Sequence, residues 1–85
     1  MNISKPEQRV LHALAQGGYI QVLRNAKGRL DNIECFNREG WVMPQCTLLL
    51  FKKLRAKGAI ISRDSGPYRI SRRGLELVRG ELDNR

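Results

Sequence analysis

Apolar side chains recur along the chain in two rhythms, a helical spacing of three to four residues and a strand spacing of two. The first segment, "SKPEQRVLHALAQGG", has the helical spacing at Val10, Leu11 and Leu14. Ser4 and Glu7 precede these residues at the spacing of a capping box, and a glycine pair follows them. The pattern therefore predicts an N-terminal helix that ends at the two glycines.

The next segment, "YIQVLRNAKGRLDNIECF", has the pattern of a β-hairpin. Ile20 and Val22 lead into the turn at residues 25–28, where a glycine can take a positive φ. The apolar residues of the returning strand, Leu30 and Ile33, are three positions apart, so in a regular strand they would face opposite sides of the sheet. A β-bulge is therefore predicted in this hairpin.

The segment "NREGWVMPQC" predicts a turn followed by a third, short strand. The turn covers residues 38–40, the strand covers residues 41–43, and Pro44 ends it because proline cannot donate to a ladder. Proline is well suited to the first turn of a helix, so a helix is expected directly afterwards.

That helix covers about residues 45–57 in "QCTLLLFKKLRAKG", with Gly58 as its C-terminal cap. Its predicted core face has the spacing i, i+3, i+4 and i+7 and consists of Thr47, Leu50, Phe51 and Leu54. Leu48 and Leu49 do not belong to that face. They must be covered by the hairpin, by the third strand or by a partner.

The last segment predicts a second hairpin and a final helix. Two short strands in "AIISRDSGPYRI" are joined by strong turn residues, with Arg63 and Arg69 near the two sides of the turn. Ser71 caps the helix that follows, and Gly74 weakens it by about 1 kcal/mol relative to alanine. The element order α-β-β-β-α-β-β-α indicates an α+β fold in a single domain, residues 1–85.

Composition adds a strong positive charge to this picture. Sixteen Lys and Arg against eight Asp and Glu give a net charge of +8. Residues 1–45 carry +2 and residues 46–85 carry +6, and Asp64 is the one acid between residues 46 and 73. Such a charge favours a polyanionic partner through long-range attraction and counterion release. The candidate nucleic-acid-binding residues are Lys52, Lys53, Arg55, Lys57, Arg63, Arg69, Arg72 and Arg73.

An apolar patch is the alternative means of binding a macromolecule. Trp and Tyr are typical of binding hot spots where they are exposed, although a single Trp in a chain of this length is more often part of the core. The candidate protein-binding residues are Tyr19, Trp41, Leu48 and Leu49.

Catalysis is not expected. His12 is the one histidine, the eight acids are scattered singly, and Cys35 and Cys46 lack ligand spacing, so no acid–base pair, metal site or other cofactor site is indicated. The two cysteines are expected to be free, packed thiols in a reducing cytoplasm. No apolar run approaches 18 residues, so neither a signal peptide nor a membrane span is expected.

The second half of the chain resembles a winged-helix domain. Over residues 45–82 a basic helix is followed by a strand, an arginine-flanked turn, a strand and a capped helix, which is the layout of a recognition helix and wing. The resemblance implies DNA binding by a transcriptional regulator through the basic half. One difference is clear: the helix that usually precedes the recognition helix has no room in "NREGWVMPQC".

Four colinear blocks resemble the small bacterial YjhX-like toxin family. They are "EQRVLHALAQGG", "GRLDNIECFNREGW", "CTLLLFKKLRAKGAI" and "PYRISRRGLELVRGELDNR". This resemblance implies a cytoplasmic, non-enzymatic toxin that binds and inhibits DNA topoisomerase I and that is made beside an antitoxin protein. The sequence thus supports two functions, inhibition of topoisomerase by protein binding and regulation by DNA binding.

Overall fold

The structure, a computed structural model, describes residues 3–82, with side chains described as far as residue 79. Within that range three helices pack on one antiparallel sheet. The helices and strands are α1 (Lys5–Ala15), β1 (Tyr19–Arg24), β2 (Leu30–Phe36), α2 (Leu48–Ala56), β3 (Ile60–Ser62), β4 (Tyr68–Ile70) and α3 (Arg72–Leu82). The α+β class is confirmed, and these seven elements follow one another in the predicted order, without the third strand predicted at residues 41–43. Within the described range, no helix is long and apolar enough to cross a membrane.

Helix α1 begins at the capping box that the sequence predicts. The hydroxyl of Ser4 accepts a hydrogen bond from the backbone N–H of Glu7, and the carboxylate of Glu7 accepts one from the N–H of Ser4 at 2.9 Å. The helix buries Val10, Leu11 and Leu14 against the sheet. Gly17 ends the segment with a φ of 117°, which glycine adopts without steric cost.

The sheet has the strand order β2-β1-β4-β3. β1 pairs with β2 from Tyr19 opposite Phe36 onward, and the register shifts between Leu23 and Arg24. This shift confirms the predicted bulge. β1 then meets the second hairpin at Ile20, which lies opposite Tyr68 of β4.

Two turns of the same design shape the first half of the chain. In "NAKGR" and in "NREGW" the side chain of the first asparagine, Asn25 or Asn37, accepts hydrogen bonds from the N–H groups two and four residues later. Each turn has a glycine with a positive φ, 78° at Gly28 and 89° at Gly40. The second turn brings Val42 opposite Phe36 in a single bridge. The strand predicted at residues 41–43 is therefore reduced to one paired residue.

Helix α2 is shorter than predicted. It begins at Leu48, because Thr47 has an extended backbone and its hydroxyl caps the N–H of Leu50 at 3.2 Å. The prediction that Thr47 belongs to the core face is wrong, since its side chain is needed at the cap and is exposed. Leu50, Phe51 and Leu54 are buried as predicted.

The sheet has one covered face and one open face. The side chains of the covered face meet all three helices, and the core there consists of Val10, Leu11, Leu14, Ile20, Ile33, Cys35, Cys46, Leu50, Phe51, Leu54, Ala59, Ile60 and Val78. Strand residues with the opposite parity, such as Gln21, Glu34 and Arg69, are exposed. The described helices leave this open face uncovered.

Helix α3 approaches the end of α2 closely. The hydroxyl of Ser71 donates to the carbonyl of Gly58 at 2.6 Å and accepts from the N–H of Gly74 at 3.0 Å, which confirms Ser71 as the cap. Gly74 is buried, and a Cβ atom there would collide with the carbonyl oxygen of Ala59 and lie 2.7 Å from the side chain of Ile70. The glycine that weakens the helix locally is therefore required by packing.

We expect Gly74→Ala to destabilise the fold, although alanine is the better helix former. The added methyl group must displace the backbone of Ala59, so the free energy of unfolding should fall by about 1–3 kcal/mol. Urea unfolding followed by circular dichroism measures the change. Glu76→Ala, at an exposed position in the middle of α3, is the control and should change stability by less than about 0.5 kcal/mol. An increase in stability for Gly74→Ala would contradict the close packing.

Candidate nucleic-acid and protein interfaces

The outward face of α2 combines one exposed leucine with two lysines. Leu49, Lys52, Lys53 and Ala56 have the spacing i, i+3, i+4 and i+7 on the side opposite the core residues, and all four are exposed. Leu49 is 64% exposed, more than the other exposed leucines in the described part of the chain, Leu23 and Leu75, which are each 38% exposed. Leu48 differs from it, because it is half-buried and packs against the core.

A shallow depression lies beside this face. It has a volume of about 280 Å³ and is bounded by the start of α1 and the start of α2. Leu49 and Lys53 form part of its wall, together with Ser4, Pro6 and Gln45. The exposed leucine therefore stands at the rim of a hollow instead of on a convex surface.

Arg55 lies at the edge of this outward face. Its guanidinium carbon is 5.4 Å from the centre of the Phe51 ring, a distance at which a cation is attracted to an aromatic face. Arg55 and Lys53 also occupy the last turn of α2, where positive charge interacts favourably with the helix dipole. Arg55 therefore stabilises the end of α2, in addition to contributing positive charge to the surface.

Lys57 has a structural partner. Its ammonium group lies 2.7 Å from a carboxylate oxygen of Glu7, whose side chain is only 4% exposed. Burial alone would raise the pKa of Glu7, but hydrogen bonds from Lys57 and Ser4 and the charge of Lys57 hold that pKa below its usual value. Lys57 thus joins the end of α2 to the start of α1. The sequence carries no local signal for this pair, because the two residues are fifty positions apart.

Arg72 and Arg73 occupy the first turn of α3, and both are exposed. The N-terminal end of a helix carries partial positive charge, so cations there are unfavourable by a few tenths to about 1 kcal/mol each. No acidic residue lies in that turn or in the first turn of α2. Because Ser71 holds the start of α3 to Gly58, these arginines lie close to the end of α2.

Arg63 and Arg69 belong to a different surface. Arg69 lies on the open face of the sheet, since its neighbours Tyr68 and Ile70 pack against the core. Its guanidinium carbon is 5.5 Å from the centre of the Tyr19 ring. The eight candidate cations therefore do not form one continuous surface: α2 and the start of α3 hold six, and the second hairpin holds two.

The aromatic candidates are placed differently from one another. Tyr19 is half-buried and stacks on Phe36, with ring centres 5.1 Å apart. Trp41 is 72% exposed, so the expectation that a single tryptophan belongs to the core is wrong here. The turn of Asn37 explains this position, because it bonds the backbone of Trp41 and brings Val42 and Met43 beside β2.

The two cysteines are free and buried, as predicted. Cys35 donates to the sulfur of Met43 at 3.9 Å. A hydrogen bond with Cys35, together with burial, raises the pKa of the Cys46 thiol. In the described part of the chain no three His, Cys, Asp or Glu side chains are grouped so that they could hold a metal ion. The features that point outward are thus charge and apolar surface.

The fold and these surfaces define a small, basic α+β protein with an apolar-cationic helix face. The chain belongs to the YjhX toxin family, whose model matches residues 1–85 and is described as "Putative toxin of bacterial toxin-antitoxin pair".

Several curated bacterial relatives span the whole chain. A UPF0386 protein of Chelativorans sp. is 56% identical over 85 residues, which is all of both chains. A UPF0386 protein of Caulobacter vibrioides is 53% identical over all of this chain and 93% of its own. A third, from Beijerinckia indica, is 55% identical over all of both chains. No solved structure matches the chain.

We expect the ion pair of Glu7 to make stability depend on pH. A glutamate whose pKa is lower in the folded state stabilises the fold above about pH 4.3, the ordinary value, and this contribution is lost as the pH falls through the folded value. Glu7→Gln should therefore lower the free energy of unfolding by about 1–3 kcal/mol at neutral pH. The difference in free energy of unfolding between wild type and Glu7→Gln should shrink as the pH falls below about 4.3 and the carboxylate of the wild type is protonated.

Urea unfolding between pH 3 and pH 7 measures both effects. Glu76→Gln makes the same change at an exposed position of α3 and serves as the matched control. If the stability difference between wild type and Glu7→Gln stayed constant over this pH range, the carboxylate would not be the stabilising group.

Proposed function

We propose that this chain is the toxin of a toxin–antitoxin pair and that it acts in the cytoplasm by binding and inhibiting DNA topoisomerase I. The proposal combines the family membership with the wider resemblance of the four sequence blocks. It assigns the chain no chemical step. An antitoxin protein is the second partner that it requires.

The exposed Leu49 on the outward face of α2 is the observation that carries this proposal. A solvated basic helix needs only charged residues there, and a leucine in that place is a cost in water. A protein partner removes this cost, because interfaces place apolar anchors at their centre and polar residues at the rim. Lys52 and Lys53 supply such a rim, and the depression beside Leu49 gives room for a side chain of the partner.

Trp41 and Tyr19 are the other apolar candidates of the proposed interface. Trp41 is the most exposed of the large hydrophobic residues in the described part of the chain, and tryptophan is enriched in hot spots. Tyr19 is partly covered by Phe36 and Arg69, so it offers less area. Leu48 is committed to the core and contributes mainly by supporting its neighbour.

We expect Leu49→Ser to weaken inhibition of topoisomerase I. A central hot-spot residue contributes about 2 kcal/mol or more to binding, so the concentration that halves relaxation of supercoiled plasmid should rise about thirtyfold. Leu23→Ser is the matched control, because Leu23 is also an exposed leucine but lies at the far end of β1. Equal loss of inhibition in both variants would point to a general loss of apolar surface.

Two outcomes of the relaxation assay would oppose the proposal. Wild-type protein that does not inhibit at moderate excess over the enzyme would exclude topoisomerase I as the target. Inhibition that disappears when DNA is raised at fixed enzyme would show competition for DNA. A pull-down of purified topoisomerase I after nuclease treatment separates these mechanisms, since direct binding survives removal of DNA.

A second candidate function is transcriptional regulation by a single winged-helix-like domain that binds DNA. Arg72 and Arg73 favour it. Two cations at the positive end of α3 are repelled by the helix dipole, and a bound phosphate would neutralise them and would itself be attracted to that end of the helix. The strand topology is compatible with a wing, since the β3–β4 hairpin joins β1 through β4 and leads directly into α3. The loop at residues 37–47 occupies the place of the usual helix.

We expect duplex binding of this kind to depend steeply on salt. Neutralising about five phosphates gives a slope near −4.5 in a plot of log K against log salt concentration. Replacing both Arg72 and Arg73 by glutamine should reduce the slope by about 1.8, whereas Arg9→Gln on the exposed side of α1 should leave it unchanged. Fluorescence anisotropy of a labelled duplex measures the slope. A missing or salt-insensitive signal would exclude this function.

A further inference from the structure

The open face of the sheet carries a continuous set of side chains that neither function uses as a unit. Val42 lies opposite Phe36, and Phe36 lies opposite Tyr19. Extending the register of Ile20 with Tyr68 by one residue places Arg69 opposite Tyr19, and Arg69 lies opposite Ile61. Residues directly opposite one another share a face of the sheet. The open-face row is Val42, Phe36, Tyr19, Arg69 and Ile61.

The centre of this row is a stack of three planar groups. The rings of Phe36 and Tyr19 are inclined by 29° with centres 5.1 Å apart, and the guanidinium of Arg69 lies over the Tyr19 ring. The two ends of the row are open to solvent, with Val42 52% and Ile61 46% exposed. Unpaired bases stack on aromatic rings and guanidinium planes in nucleic-acid-binding sheets, and a base can extend the stack described here at either end, on Phe36 or on Arg69.

A shallow cavity adjoins the Arg69 end of the row. It has a volume of about 330 Å³ and lies between Arg63 and Arg69, with Ile61 and Pro67 in its wall. The two guanidinium groups give the cavity positive charge beside an apolar wall. This combination suits a nucleotide, whose phosphate pairs with arginine while its base contacts apolar surface.

We propose that the open-face row binds single-stranded nucleic acid. Phe36 and the guanidinium of Arg69, at the two ends of the stack that Tyr19 holds together, provide the stacking surfaces for bases, and Arg63 and Arg69 bind the phosphates. The net charge of +8 supplies the long-range attraction that a polyanion requires.

A single strand fits this face better than a duplex does. A four-stranded sheet cannot enter the major groove, which admits a helix or a two-stranded ribbon, and paired bases do not present their faces. Five neighbouring backbone segments about 4.8 Å apart make the row about 19 Å wide, enough for two or three unpaired nucleotides. A protein partner would also find apolar surface here, but it would not need two arginines flanking a cavity.

This site shares Tyr19 with the apolar candidates for topoisomerase binding, but it is separate from the outward face of α2, which carries that proposal. Arg69 and Tyr19 lie on the open face, while α2 packs on the covered face. A substitution on the outward face of α2 can therefore abolish inhibition of topoisomerase without affecting the binding of a single strand. Leu49→Ser should leave affinity for a single strand unchanged.

The test uses the whole chain and a fluorescein-labelled twelve-nucleotide oligothymidine, with anisotropy as the readout. Tyr19→Leu keeps the apolar volume and removes stacking, so the dissociation constant should rise about 5- to 150-fold, whereas Tyr19→Phe should bind as wild type does. Arg69→Gln should reduce the salt slope by about 0.7, the value for one phosphate of a single strand. Arg9→Gln removes the same charge from the exposed side of α1 and should leave the salt slope unchanged.

A second measurement on the wild-type chain does not depend on the folding of a variant. The same oligonucleotide with 5-iodouracil is irradiated with the protein, and the crosslinked residues are mapped by mass spectrometry. We expect crosslinks at Tyr19 or Phe36. Crosslinks confined to α2 or α3, equal affinities of Tyr19→Leu and Tyr19→Phe, or a lack of measurable binding would each overturn the proposal.

Discussion

Burial of the Glu7 carboxylate at the junction of α1 and α2 is the constraint on which the remaining geometry depends. Among the side chains that the structure describes, Glu7 is the one charged residue that is buried. A buried carboxylate is tolerated only with hydrogen-bonding partners, and Glu7 finds them in the backbone of Ser4 and in the ammonium group of Lys57. The pair fixes the end of α2 against the start of α1. It therefore also decides which side of α2 faces water.

A second junction places α3 in the same layer. Ser71 bonds to the last turn beyond α2, and Gly74 lets α3 approach the backbone of Ala59. With both junctions made, the three helices share one side of the sheet and the other side stays open. The exposed surface of α2 and the exposed surface of β4 consequently face different surroundings, although both belong to the basic half of the sequence.

Local chemistry in the sequence was sufficient to predict the class, the order of the seven helices and strands, the α1 cap, the bulge and the cap at Ser71, but it added a third strand that is only a single bridge. These features are set by residues within a few positions of one another. The start of α2 was predicted too early, because Pro44 suggested a first turn while the hydroxyl of Thr47 provides the cap. The Glu7–Lys57 pair, the burial of Gly74 and the exposure of Trp41 depend on segments that meet only in the folded chain. No local pattern contains that information.

Net charge alone does not choose between the partners considered for this chain. A charge of +8 raises the affinity for any polyanion, whether duplex, single strand or acidic protein, and salt weakens all of these complexes. Uncharged side chains distinguish these partners better, because they contribute to binding energy only where the partner contacts them directly. Leu49 contributes only where apolar surface closes over α2, and the Phe36–Tyr19 stack contributes only where a planar group reaches the open face. Since the two lie on opposite sides of the sheet, a contact made by one of them identifies the side on which a partner binds.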